Sequence, residues 1–208
     1  MKSLFPYLLS DVSETSLRCE SCILAKSHRS TYPISITRCP TPFMLVHSDV
    51  WGPAPISLAS GIRWFVIFVD DCTRMTWLYL MKNKSEVAEI FKTFHRMITT
   101  QFFAKLRVLR SDNGGEFVNQ DLQEYFRVHE LIHETSCAYT PQQNGVAERK
   151  NRHILEIARG LLLDANAPQR YWQDAVTTTV YLINRMPSKV LDFKTPLRVL
   201  AEHEVLPS

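Results

Sequence analysis

Acidic residues stand in this chain where apolar runs break off, and that placement limits what it can fold into. Leu106, Val108 and Leu109 lead into Arg110-Ser111-Asp112-Asn113-Gly114-Gly115-Glu116-Phe117. An apolar run stopped by Asn-Gly-Gly reads as a strand entering a turn, so Asp112 belongs at the C-terminal end of a strand, facing a cleft. Glu148 follows after 35 intervening residues, near the start of a helix that begins beyond Pro141. Upstream, Phe43 to Val46 leads into His47-Ser48-Asp49-Val50-Trp51-Gly52-Pro53, which puts a third acid at the end of another apolar run. Three acids from two strand ends and a helix can converge on divalent cations.

The 208 residues suffice for one substantial domain with a small appendage. An apolar fraction of 45% with 22% charged residues excludes wholesale disorder. A net charge of +3 is compatible with a nucleic-acid partner but too slight to establish one. Cys19, Cys22, Cys39, Cys72 and Cys137 are an odd, sparse set that fits a reducing compartment better than a disulfide framework. The N-terminus starts like a signal peptide, but Pro6 and Asp11 interrupt it before an apolar region develops. No run approaches the roughly 20 apolar residues that cross a bilayer, so no membrane partner is expected.

Residues 1–40 differ from the rest and carry Cys19-Glu20-Ser21-Cys22, the spacing of half a zinc site. Four ligands are the norm at structural zinc, and neither Cys nor His precedes Cys19. Zn2+ at Cys19 and Cys22, with His28 as a distant third candidate, therefore competes with a simpler picture, two reduced thiols in an arm.

The core is expected over 41–187, with 188–208 as a C-terminal extension. A buried strand read from Pro42 to Asp49, ending at Trp51-Gly52-Pro53, puts His47 and Asp49 on one face. His47 there either tunes the acid or is a hydrogen-bonded structural histidine. Gly61 to Asp71 reads as the central strand, Cys72-Thr73-Arg74 as a turn, and Met75 to Met81 as its antiparallel partner. Asp70 and Asp71 precede the turn, where an aspartate commonly accepts local hydrogen bonds, so both are assigned structural roles. From Ser85 a helical stripe runs through Val87, Ile90, Phe91, Phe94, Ile98 and Phe102. A strand (106–111), a helix around Leu122 to Val128, and a strand (132–135) follow. Three strands before the first helix and alternation afterwards predict an α/β fold, a mixed five-stranded sheet flanked by helices.

The long helix expected from Gln142 to Leu163 brings Arg152, Leu155 and Arg159 within about 40° of Glu148 on a helical wheel. Ala147, Ile154, Ala158 and Leu161 fall to one side, which leaves Glu148 at the border of the buried face. A further helix opens near Pro168. Past Pro187 the periodicity weakens.

The motifs His-Ser-Asp-Val-Trp-Gly-Pro, Ser-Asp-Asn-Gly-Gly-Glu-Phe and Pro-Gln-Gln-Asn-Gly-Val-Ala-Glu, at this spacing, resemble the catalytic core of retroviral-type integrases, above all those of copia-type LTR retrotransposons. The resemblance covers nearly the whole chain. It implies a ribonuclease H-like fold and a polynucleotidyl transferase that trims DNA 3′ ends and joins them to target DNA. It also implies Mg2+ or Mn2+ at Asp49, Asp112 and Glu148, with Asp49 bridging two ions. Two ions about 4 Å apart can align the nucleophile and neutralise the phosphoryl oxygens and the leaving group. In that family two histidines complete the zinc module; residues 1–40 then read as its truncated remnant.

DNA is the expected partner, alongside further copies of the chain, with the nucleus as the expected location and the cytoplasm as a second. Arg149, Lys150, Arg152 and Arg159 are candidates for phosphate contacts, and Gln142, Gln143 and Asn144 for bases or sugars. Each cation alone is an ordinary surface residue; the grouping beside Glu148 is the signal. Two alternatives stand beside the integrase. One is a catalytically impaired, retrotransposon-derived DNA-binding or interaction module. The other, a general ribonuclease H-like nuclease, fits the Gln-Asn-Gly helix start less well.

Overall fold

Antiparallel pairing builds the first half of the sheet. In the computed structural model, which describes residues 38–55, 60–136 and 144–203, β1 (Leu45–Trp51) pairs with β2 (Trp64–Asp70), and β2 pairs with β3 (Thr76–Met81). A helical crossover then becomes necessary, because β4 (Val108–Ser111) lies parallel to β1 and parallel neighbours cannot be joined by a tight turn. α1 (Val87–Gln101) makes that crossover, and α2 (Gln120–Val128) carries the chain on to β5 (Ile132–Thr135), parallel to β4. The sheet order is β3-β2-β1-β4-β5. α3 (Gly145–Asp164), α4 (Trp172–Ile183) and α5 (Pro196–Glu202) complete the described elements. This is the mixed five-stranded sheet that the element order predicts and the ribonuclease H-like arrangement that the resemblance implies.

Alternating side chains divide the core between the two faces of the sheet. Val46, Val66, Phe68 and Leu109 pack with Phe91, Phe94 and Ile98 of α1 and Leu122 and Phe126 of α2. Phe65, Ile67 and Val69 pack with Ala147, Ile154 and Ala158 of α3 and Trp172, Val176 and Val180 of α4. With helices on both faces, every residue of β2 from Phe65 to Asp70 is buried, which explains its unbroken apolar run. β2 is nevertheless one place off centre. β1 holds the middle, between β2 and β4.

Element ends depart from the sequence pattern for local reasons. β4 starts at Val108 because its partner on β5 starts at Ile132; Leu106 is fully buried just before the ladder. Before α1, Glu86 Oε1 accepts from the backbone N–H of Lys82 (2.9 Å) and Asn83 (2.8 Å), which tightens Lys84–Glu86 into one 3₁₀ turn. A similar turn, Gln169–Tyr171, precedes α4.

Residues 188–203 form more regular structure than their weak periodicity suggests. Thr195 caps α5 by accepting from Arg198 N at 3.1 Å, and Leu200 is fully buried in the core beneath α1 and α2. The Asn184 side chain bonds both backbone groups of Thr76 on β3, at 3.0 and 2.8 Å, while its carbonyl accepts from Leu197 N. A seven-residue helix shows too few turns for a stripe to register in sequence.

One glycine is needed where β1 ends. Gly52 has φ of +137°, and a Cβ there would stand 2.6 Å from the Trp64 ring and 2.7 Å from the Arg63 carbonyl oxygen.

Candidate functional site

The parallel register decides which acids become neighbours. His47 lies opposite Arg110, so two residues further along, beyond the last paired position, Asp49 and Asp112 stand at adjacent strand ends. On β1, Val46 faces the α1 side; His47, Asp49 and Trp51 therefore face α3, and Asp112 continues the same alternation on β4. α3 closes over this end of the sheet. Asn144, fully buried just before it, donates to the Ser48 carbonyl at 3.0 Å, and Glu148 follows in the first helical turn, exposed.

Asp49 carries the clearest sign of this crowding. Burial, opposed by a hydrogen bond from Asn151 Nδ2 to Oδ2 at 2.7 Å, and the negative charges of Asp112 and Glu148 push its carboxyl up to about 6. Asp112 is half-buried and accepts from Gly114 N at 3.1 Å. The three acids share one electrostatic neighbourhood. They are not drawn into a closed cage: among the described residues, no group of three or more His, Cys, Asp or Glu could hold a metal ion.

The donor set nonetheless fits a hard divalent cation. Carboxylate oxygens are its preferred ligands, and Mg2+ retains several waters, so a complete protein cage is unnecessary. Two buried amide oxygens, Oδ1 of Asn144 and of Asn151, have no hydrogen-bond donor among the described residues.

The candidate DNA-contacting residues divide. Arg152 and Arg159 are exposed on the Glu148 side of α3, and Arg149 is exposed with its guanidinium folded toward Gly145. Lys150 is half-buried; burial and the nearby charge of Arg74 pull its ammonium down to about 8. Asn144 is turned into the protein rather than outward. Gln142, Gln143, Cys19, Cys22 and His28 lie outside the described residues.

Asn151 is the residue that sequence reading missed. Its signal was there: a polar side chain on the stripe of Ala147, Ile154 and Ala158, three residues after Glu148. A polar group on an otherwise apolar, inward stripe needs a partner, and Asp49 is that partner.

His47 and the Asp70-Asp71 pair form a separate network. His47 Nε2 donates to Asp71 Oδ1 at 3.1 Å, with Arg74 on the same oxygen at 2.9 Å and Cys39 N on Oδ2 at 2.8 Å. Burial alone would raise the Asp71 carboxyl; the donations from His47 and Cys39 and the charge of Arg74 bring it down to about 2. Burial also keeps the His47 imidazole below its ordinary value, against the pull of Asp71. Asp70 accepts from Phe43 N at 2.7 Å and from Thr73 N and Oγ1 at 2.8 and 2.7 Å, so both acids serve the turn.

A family model described as "Integrase core domain" matches residues 40–141. The retrovirus-related Pol polyprotein from transposon TNT 1-94 of Nicotiana tabacum is 42% identical over 199 residues, which is 95% of this chain and 15% of that protein. The corresponding polyprotein from transposon RE1 of Arabidopsis thaliana is 42% identical over 188 residues, 90% of this chain and 13% of that one. The chain thus spans 13–15% of the length of these curated relatives. Among solved structures, the simian T-cell lymphotropic virus intasome in complex with the PP2A regulatory subunit B56 gamma aligns with a TM-score of 0.66 and 18% identity, over 87% of this chain and 62% of that one. The HTLV-2 integrase catalytic core domain in complex with magnesium, in its trimeric form, aligns at 0.56 and 20% identity, over 76% of this chain and 96% of that one. At such identities the solved structures share the fold with this chain.

Proposed function

This chain is an integrase core domain related to the integrases of retrotransposons and retroviruses, and from that premise we propose that it cuts DNA 3′ ends and joins them to target DNA with Asp49, Asp112 and Glu148. One observation carries the assignment to these residues: Asp49 is half-buried near two other acids, and burial together with their charges pushes its carboxyl up to about 6. Such an arrangement is costly in isolation and is relieved by a bound cation. Magnesium or manganese at these acids would supply nucleophile alignment and neutralisation of charge on the phosphoryl oxygens, in a two-metal scheme. A solved relative described as a complex with magnesium supports that choice.

The protein's own groups orient the site. Asn151 donates to Asp49 Oδ2 at 2.7 Å and orients that carboxylate. Gly114 N fixes one oxygen of Asp112 in the same way. Arg152 and Arg159, on the same edge as Glu148, attract the phosphate backbone along α3 without reading sequence. Relatives described in trimeric and dimeric forms support self-association.

Purified protein, labelled branched DNA and Mg2+ or Mn2+ provide the test. Metal-dependent cleavage or strand transfer is expected, and Asp112→Asn abolishes it. Equal activity in variant and parent would remove Asp112 from the site. The absence of a closed three-donor cluster among the described residues favours one alternative, an impaired DNA-binding module. For that module, gel shifts persist without metal and ignore substitution of all three acids.

A further inference from the structure

The loop that carries Asp112 is clamped by an ion pair from outside the acid triad. Lys84, in the 3₁₀ turn before α1, places Nζ 2.6 Å from Glu116 Oε1. The same ammonium stands 5.1 Å from the ring centre of Trp64, at the start of β2. Glu116 exposes only 8% of its side chain, against 43% for Lys84, so the acid is the enclosed partner. A carboxylate so enclosed that loses its cation is left uncompensated, which costs far more than an ordinary surface pair contributes.

Gly114 shows how close Glu116 is to Asp112. A Cβ on this glycine would meet Glu116 Cδ at 2.7 Å, Glu116 Oε2 at 2.8 Å and Asp112 Oδ1 at 3.0 Å. Two carboxylates therefore crowd one residue of bare backbone. The rest of the loop is tied down: Phe117 N and Val118 N donate to the Gly114 carbonyl at 2.9 and 3.2 Å, Asn119 Nδ2 donates to the Glu116 carbonyl at 2.9 Å, and Asn113 Nδ2 donates to the Ser136 carbonyl at 2.6 Å. Among the described residues, these hydrogen bonds are local or run to the end of β5, and only the Lys84 pair links the loop to the β3–α1 connection by a polar contact.

We propose that Glu116, held by Lys84, is a positioning residue for Asp112. The pair fixes the loop that aims the Asp112 carboxylate, with the Lys84 ammonium holding Glu116 Oε1. The inference rests on Asp112 being a metal ligand, as put forward above. Groups that orient a metal ligand without touching the ion typically change its affinity by about 10- to 100-fold when lost.

Mn2+ binding by the full chain, without DNA, is followed by electron paramagnetic resonance of the free ion. The set is the parent, Asp112→Asn, Lys84→Met, Lys84→Arg, Glu116→Gln and the exchanged pair Lys84→Glu with Glu116→Lys, each checked for folding by its melting curve. Lys84→Met and Glu116→Gln should weaken Mn2+ binding by about tenfold, while Lys84→Arg and the exchanged pair recover most of it. Parent-like Mn2+ affinity in Lys84→Met and Glu116→Gln, with Asp112→Asn impaired, overturns the proposal and leaves Asp112 as a ligand. Indistinguishable binding by the parent and Asp112→Asn defeats the metal assignment itself and takes this proposal with it. Weakened binding that neither Lys84→Arg nor the exchanged pair restores also overturns it, since the ion pair would then be irrelevant.

Discussion

Two groups of acids border the same sheet and are treated in opposite ways. At the β2–β3 turn, Asp71 receives hydrogen bonds from His47 and Cys39 N together with the charge of Arg74, and its carboxyl falls to about 2. Toward the carboxyl ends of β1 and β4, half-buried Asp49 receives one side-chain hydrogen bond and faces two more acids, and its carboxyl rises to about 6. Burial penalises the charge of both acids; company differs. A carboxylate whose oxygens are all answered by the protein is part of the scaffold, whereas one kept against its own kind is held ready for something the protein does not supply.

The contrast breaks first, and most visibly, on activity. Asp112→Asn should lower DNA cleavage by at least about 1000-fold, since a metal at the site supplies several kcal/mol of transition-state stabilisation. Asp71→Asn should leave the rate per folded molecule near that of the parent. Comparable losses in both variants, with folding verified, would erase the division.

Stability should reverse the ranking. Removing the Asp71 carboxylate leaves His47 and Arg74 enclosed without their acid, so Asp71→Ala should cost about 3 kcal/mol in urea unfolding. A cost below about 1 kcal/mol would show the turn network to be ornamental.

The two acids should also titrate with opposite sign in the metal-free protein. Folded Asp49 keeps its proton up to about 6, while an unfolded aspartate releases it near 3.8, so rising pH across that window favours the unfolded chain. Asp49→Asn should therefore stabilise by about 2 kcal/mol at pH 7, a gain that disappears below pH 4. Asp71 works the other way: its contribution is complete above pH 4 and is lost as pH falls toward about 2. Melting curves of the two variants and the parent at pH 3, 5 and 7 read both slopes, and parallel slopes would contradict the assignment.

The smallest effect concerns cations on α3. Arg152→Ala, at an exposed position, should weaken DNA binding uniformly across sequences and reduce the salt slope by about 1. Lys150→Ala, at a half-buried position beside Arg74, should change the slope little. An equal reduction from both would place Lys150 on the phosphate track after all.

Much of the fold was legible because its signals are local. The stripe through Val87, Phe91, Phe94 and Ile98 marks α1, and Asn-Gly-Gly after Leu109 marks the end of β4. Weak signals failed where one residue carries an element: α5 contributes Leu200 to the core from a seven-residue helix, and no periodicity announces it. Exposure along α3 was less legible. A charged residue on an amphipathic helix reads as exposed, yet Lys150 is half-buried and feels the charge of Arg74, from a turn 76 residues earlier.

The chain by itself determined which acids stand at strand ends and at a helix start, since apolar runs, turn residues and spacing are written in neighbouring positions. Only the tertiary structure decided which acids meet and which are answered. The parallel pairing of β1 with β4 sets Asp49 beside Asp112, and the path of α3 brings the neutral amide of Asn151 to Asp49. Those outcomes depend on register and on groups far apart in sequence, and a carboxylate's acidity is set by whatever surrounds it after folding.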